Sequence, residues 1–179
     1  MALSSGVSVY DAQELSNLIN KNKRIALVYM NRLVQNGLAI RLINGKISFS
    51  NDEFIIASQL VIPSYISLNS ALLYHKITDQ VPEYIESVNT VNSYKYHRLG
   101  IIYHKIKPEL FFGYKRYAKA GSFVFVADPD KAVFDGLYFN IFSKFDIMDF
   151  KDKIDFSELL PRLKNMKISR IHKILEMLK

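Results

Sequence analysis

The order of local signals between Asp11 and Phe49 constrains the fold of this chain more than any other feature. "VYDAQELSNLIN" reads as a short helix capped by Asp11, with Ala12, Leu15, Leu18 and Ile19 at helical spacing. A polar turn at Asn20–Asn22 leads into "KRIALVYMNRLVQNG", a second helix ended by Gly37, where a left-handed residue is wanted. Ala26, Met30 and Leu33 form its expected buried stripe, flanked by Leu27 and Val34. In "LAIRLINGKISF", Leu38, Ile40 and Leu42 alternate with Ala39, Arg41 and Ile43, and Asn44-Gly45 is a strong hairpin signal. Helix, turn, helix, glycine and two-stranded hairpin is the order of a winged helix-turn-helix, expected over residues 1–50.

From Ser50 the pattern changes. Ser50 to Glu53 reads as a capping box opening a connecting helix, placed within residues 51–62 and ended by Pro63. "SYIS" is extended, and Ser67 is the expected N-cap of a helix over Leu68–His75, with Tyr65, Leu68, Ala71 and Leu72 in the core. "YIESVNT", "YKYHRLGIIYHKI", "LFFGYKRYAKAG" and "SFVFVAD" alternate or run apolar between turn residues, which predicts three or four strands. "DPDKAVFDGLYFNIF" predicts a helix with Asp128 at the N-cap and Pro129 at its first position. Two terminal helices follow, the last with an apolar face of Ile168, Ile171, Ile174, Leu175 and Leu178. The class is therefore α+β: the winged unit, the connecting helix, and a mixed α/β domain over 63–179 whose sheet is expected to be antiparallel-rich.

Charge narrows the functional classes. The chain of 179 residues carries a net +7, which favours polyanionic partners and above all nucleic acid. Residues 1–50 hold Lys21, Lys23, Arg24, Arg32, Arg41 and Lys46 against Asp11 and Glu14, a net of +4. Asn22, Lys23, Arg24, Tyr29 and Arg32 fall near one face of the second helix, as a major-groove reader requires, and Arg41 and Lys46 fall on the wing. A second basic stretch contains Lys95, Arg98, Lys105, Lys107, Lys115 and Arg116, interleaved with tyrosine and phenylalanine. It fits a stacking surface for single strands, and it fits amphipathic strands with inward aromatics and outward lysines. The apolar runs are too short to span a bilayer, no secretory signal pattern opens the chain and cysteine is absent, so a soluble cytoplasmic protein without disulfides or thiolate metal sites is expected.

Catalysis finds little purchase. "GSFVFVADPD" superficially matches the Gly-Ser and Asp-x-Asp of nucleotidyltransferases, but Pro129 between the acids suits a helix start better than a metal-holding strand. His75, His97, His104 and His172 show no ligand spacing, and no glycine-rich phosphate loop is present. No enzyme activity, metal or cofactor is expected.

Three motifs in order carry a family resemblance: Pro63, Tyr65, Ser67, Leu68, Ser70, Ala71 and Leu72, followed by Gln80 and Pro82; Phe111, Phe112 and Gly113; and Ala127 to Asp135. On these the chain resembles the AbiEi-type antitoxins of abortive-infection, type IV toxin–antitoxin systems. The resemblance implies an N-terminal winged helix joined to an α+β domain. Here the winged helix is shortened at its first helix, because only the eight residues "MALSSGVS" precede the helical pair. It further implies a regulator that binds double-stranded operator repeats, represses its own operon and counteracts a nucleotidyltransferase-type toxin without a stable complex, as a monomer or homodimer. The alternative is a protein-interaction module that uses outward Ile25 and Val28 to dimerise or to bind a partner.

Overall fold

The computed structural model describes residues 6–43, 45–166 and 168–177. The first helix, α1 (Ala12–Ile19), begins as its sequence dictates. The Asp11 carboxylate accepts from the Gln13 and Glu14 amides, and Glu14 reaches back to the Asp11 amide, closing a capping box. Asn22 caps α2 (Lys23–Gln35) by accepting from the Ile25 amide at 3.0 Å. Three two-residue strands, β1 (Val9–Tyr10), β2 (Ile40–Arg41) and β3 (Ile47–Ser48), form an antiparallel sheet in the order β1-β3-β2. Tyr10, Ala12, Leu15, Ala26, Met30, Ala39 and Ile47 make a small core between helices and sheet.

Two details differ from the sequence reading. Leu27, expected to flank the buried stripe, is exposed; it lies about 100° round the helix from Ala26, on the side α1 does not cover. In the hairpin, Ala39 and Leu42 are buried while Leu38 and Ile40 are exposed. The Leu38 and Ala39 amides both bond to the Leu33 carbonyl and so close the end of α2, and the strand that follows, Ile40–Arg41, is exposed at both residues. Asn44, half of the expected turn signal, lies outside the described residues, as does Leu178.

The expected connecting helix is α3 (Glu53–Leu60), capped by Asp52 rather than Ser50. The Asp52 carboxylate accepts from the Ile55 amide, and the Ser50 hydroxyl accepts from the Asp52 amide. Six of its eight residues are buried, so α3 is surrounded by protein on nearly all sides.

The larger sheet contains β4 (Ser64–Ile66), β5 (Ile85–Asn89), β6 (Tyr94–Tyr96), β7 (Ile101–Lys105), β8 (Tyr114–Lys119) and β9 (Ser122–Ala127) in the order β6-β7-β5-β4-β9-β8. It is mixed: β5–β7 and β4–β9 run parallel, and the other three pairs antiparallel. Register assigns its faces. Tyr65, Val88 and His104 align across β4, β5 and β7, as do Ile66, Ser87 and Tyr103 on the other side. The Tyr103 hydroxyl donates to the Ala57 carbonyl of α3, so α3 covers the second face. On the first face lies α5 (Pro129–Tyr138), which meets Tyr65 through Asp135; Phe139, at its C-terminal end, packs on His104. The short α4 (Leu68–Tyr74) leaves β4 directly and packs against α5 and β5.

After α5 come α6 (Lys144–Met148), which the sequence reading missed, α7 (Leu159–Lys164) and α8 (Ser169–Met177). Ile171, Ile174 and Leu175 bury the inward face of α8. Gly136 sits inside α5, where alanine is normally the better helix former. A β-carbon there would stand 2.1 Å from the Phe142 ring, so the chain turns back over the helix through a gap only glycine leaves. Gly136→Ala is expected to destabilise the fold by about 1–3 kcal/mol through overpacking, and adding Phe142→Leu to recover part of the loss; denaturant titration of the three proteins measures both.

Candidate functional site

The sequence-predicted contact residues sort into three groups. On α2, Lys23, Arg24, Tyr29 and Arg32 are exposed, and among the described residues none of the three cations has an ion-pair partner. Their exposure follows from the helix period: Ala26 and Met30 face the core, which turns Arg24, Val28 and Arg32 outward. Asn22 spends its side-chain oxygen on the α2 cap, leaving its amide group outward. From β2, the Arg41 guanidinium reaches across to the Asn31 side chain at 2.5 Å. That bond ties the hairpin to the side of α2 that carries Arg24, with Arg32 about 100° round the helix from Asn31. Lys46 turns elsewhere: its half-buried ammonium donates to the Leu60 carbonyl at 3.0 Å, satisfying one of the open carbonyls at the end of α3.

The second basic stretch does not form one surface. Lys95 and Arg98 belong to the β6 edge with Lys105 and Lys107 nearby, whereas Lys115 and Arg116 lie on β8, the opposite edge. Five strand spacings separate those edges, about 24 Å. The aromatics between them are partly or fully buried: Tyr103 and Phe112 inside, with Tyr94, Tyr96, Phe111, Tyr114 and Tyr117 packed against the core. Lys95 sits over the Tyr84 ring, Arg116 stacks on Phe123 at 4.1 Å, and Lys115 pairs with Asp128 at 2.9 Å.

The sequence reading missed a charged centre inside the fold. Lys131 and Asp135, one helical turn apart on α5, form an ion pair with both side chains fully buried. The Lys131 ammonium also donates to the Tyr65 hydroxyl at 2.9 Å. On its other oxygen the Asp135 carboxylate accepts from the Tyr65 hydroxyl at 3.0 Å and the Ser67 hydroxyl at 2.7 Å. Ser67 therefore stands at the N-cap position of α4 without capping it by its side chain, because its hydroxyl is engaged with Asp135. Likewise Asp128, at the N-cap position of α5, makes no side-chain cap and pairs with Lys115 instead. Gly113 completes the centre: a β-carbon there would lie 3.0–3.2 Å from the Lys131 stem. The motifs around Tyr65, Gly113 and Ala127–Asp135 thus meet at one point. A signal for it was present in "KAVFD", where an i, i+4 ion pair encloses only apolar residues.

Burial pushes Lys131 down and Asp135 up from their ordinary values, the pair attraction opposing both shifts. Burial, reinforced by the neighbouring carboxylate, holds Tyr65 well above the usual phenol range and thus neutral. No solvent reaches these atoms, so the centre acts as a structural knot. Asp130 is pushed upward chiefly by burial, and its carboxylate accepts from the Lys131 amide. Among the described residues, no three His, Cys, Asp or Glu side chains gather to hold a metal ion, and no helix is long and apolar enough to cross a membrane. No protein-family model matches the chain, and no curated protein matches it.

Two outcomes follow from these buried groups. Lys131→Met, which strands the Asp135 charge, is expected to cost about 3–5 kcal/mol in chemical denaturation, whereas Lys131→Met with Asp135→Leu recovers most of it. His104, its Nε2 buried without a hydrogen-bond partner, has its pKa lowered by burial from 6.5. The unfolded chain then binds the extra proton first, so this group's contribution to stability falls as pH drops below 6.5 and levels off beneath the folded pKa. Comparing His104→Gln with the parent across that window tests the assignment: the variant loses this part of the slope.

Proposed function

We propose that this chain is a DNA-binding, antitoxin-like transcriptional regulator of the AbiEi type, acting in the cytoplasm as a monomer or homodimer. In this reading α1, α2 and the β1-β3-β2 sheet are a winged helix-turn-helix, with α2 as recognition helix and the β2–β3 hairpin as wing. The observation that carries the reading is the exposed ridge on α2. Arg24 and Arg32 stand without ion-pair partners among the described residues, and Asn31 draws Arg41 of the hairpin to the side of Arg24. A helix so flanked fits a major groove about 12 Å wide, with the guanidinium groups on phosphates or guanine edges. The α+β unit carries the antitoxin role, counteracting a nucleotidyltransferase-type toxin encoded alongside without a lasting complex; the three motifs that converge on Lys131 support this part through the family resemblance.

A second reading has its own observation. Ile25, Leu27, Val28 and Tyr29 are all exposed on α2, an apolar content that suits a protein contact better than a nucleic-acid groove. Promoter-fragment binding separates the two. Lys23→Ala/Arg24→Ala/Arg32→Ala is expected to weaken affinity for the chain's own promoter and to flatten the log–log salt dependence by about three units if each cation meets a phosphate. Unchanged affinity and slope would leave DNA recognition to another surface.

A further inference from the structure

Exposed apolar side chains also stand beside a cleft remote in sequence from α2. A cleft of about 560 Å³ lies between the turn after α4 and the α5–α6 region, lined by Asp79, Gln80, Ile141, Asp146 and Asp149 among others. Val81 and Phe145, each 81% exposed, flank these lining residues in sequence, as does the exposed Met148. Among the described residues, Asp79, Asp146 and Asp149 have no ion-pair partner. Lys153, the cation lining the cleft, donates to the Ile77 carbonyl at 3.0 Å. In a chain of net charge +7, the lining of this cleft holds three aspartates against one lysine, while the exposed Lys76 and Lys144 stand near it in sequence together with these apolar side chains.

The α2 face has the same construction with the opposite sign: Ile25, Val28 and Tyr29 exposed among the unpaired Lys23, Arg24 and Arg32. Exposed apolar side chains beside complementary charges suit a specific protein contact, the charges selecting partner and orientation and the apolar groups supplying area to desolvate. Because both surfaces belong to one chain, each copy brings the complement of its neighbour. We propose that the protein binds a second copy of itself head to tail, with α2 of one copy seated against the acidic cleft of the other. The proposal rests on the protein-contact reading of α2 and not on DNA binding. Where α2 also meets DNA, the two partners compete for the same side chains. Such a contact is heterologous, so it builds a closed ring or an open chain according to the rotation between copies.

Sedimentation velocity on the full chain tests it, with two charge-reversed proteins. Arg24→Glu/Arg32→Glu alters α2 alone; Asp79→Lys/Asp149→Lys alters the cleft alone and spares Asp146, whose carboxylate accepts from Ser143 at the start of α6. The parent is expected to associate with rising concentration and to dissociate with salt, and each reversed protein to remain monomeric. An equal mixture of the two is expected to associate again, because the native α2 of one meets the native cleft of the other and the two reversed surfaces are themselves complementary. Far-ultraviolet circular dichroism establishes that both variants are folded, and Val28→Asp, which leaves every native charge in place, is expected to abolish association of the parent. A monomeric parent, a mixture that stays monomeric, or a reversed variant that associates like the parent overturns the proposal. Promoter binding by Asp79→Lys/Asp149→Lys reads the DNA role separately, since its α2 is untouched.

Discussion

The buried Lys131 ammonium is the constraint around which the larger unit is arranged. An ammonium taken out of water is tolerable only with a partner and satisfied donors. Asp135 supplies the charge, and Tyr65 supplies an acceptor for the ammonium. Asp135 then needs donors for its remaining oxygen, which fixes Tyr65 on β4 and Ser67 at the head of α4. Gly113 must lack a side chain so that the Lys131 stem can pass. One charge thereby dictates the mutual placement of β4, α4, α5 and the approach to β8. A hydrophobic pair in the same space would need no such partners, but would leave the buried Tyr65 and Ser67 hydroxyls without the carboxylate they donate to.

That arrangement explains which parts of the fold were legible in the sequence. The cap of α1, the start of α5 at Pro129 and the stripe of Ala26 and Met30 depend on neighbours within a turn or two, and local pattern finds them. Where a side chain had a distant competitor, local pattern misassigned it. Ser67 and Asp128 each occupy a capping position, yet Asp135 and Lys115 hold their side chains. The strand order β6-β7-β5-β4-β9-β8 has no local cause, and β4 was visible only as the extended stretch "SYIS". Arg24, Arg32 and Arg41, which the sequence places outward, are exposed, whereas Lys46 donates to the Leu60 carbonyl, a group that is nearby only once α3 is packed.

The charge pattern has the same lesson at larger scale. Fourteen sequence positions separate Arg41 from Ile55, yet they mark the passage from an exposed cationic ridge to a helix with hardly any solvent contact. The lysines of the Tyr94–Tyr117 stretch look continuous in the sequence because hairpins place them close along the chain. The sheet then distributes them to its two rims, where they also discourage further strand pairing.

The seam between the two units has a mechanical meaning. The Gln59 side chain accepts from the Ser8 amide and donates to both Ser122 and the Phe123 carbonyl; Ser122 bonds to Gly6, and Lys119 to Asp52. With Lys46 anchored on Leu60, the small unit is stitched to the sheet at β9 and at both ends of α3. Tension applied through α2 therefore travels into the sheet rather than stretching a tether.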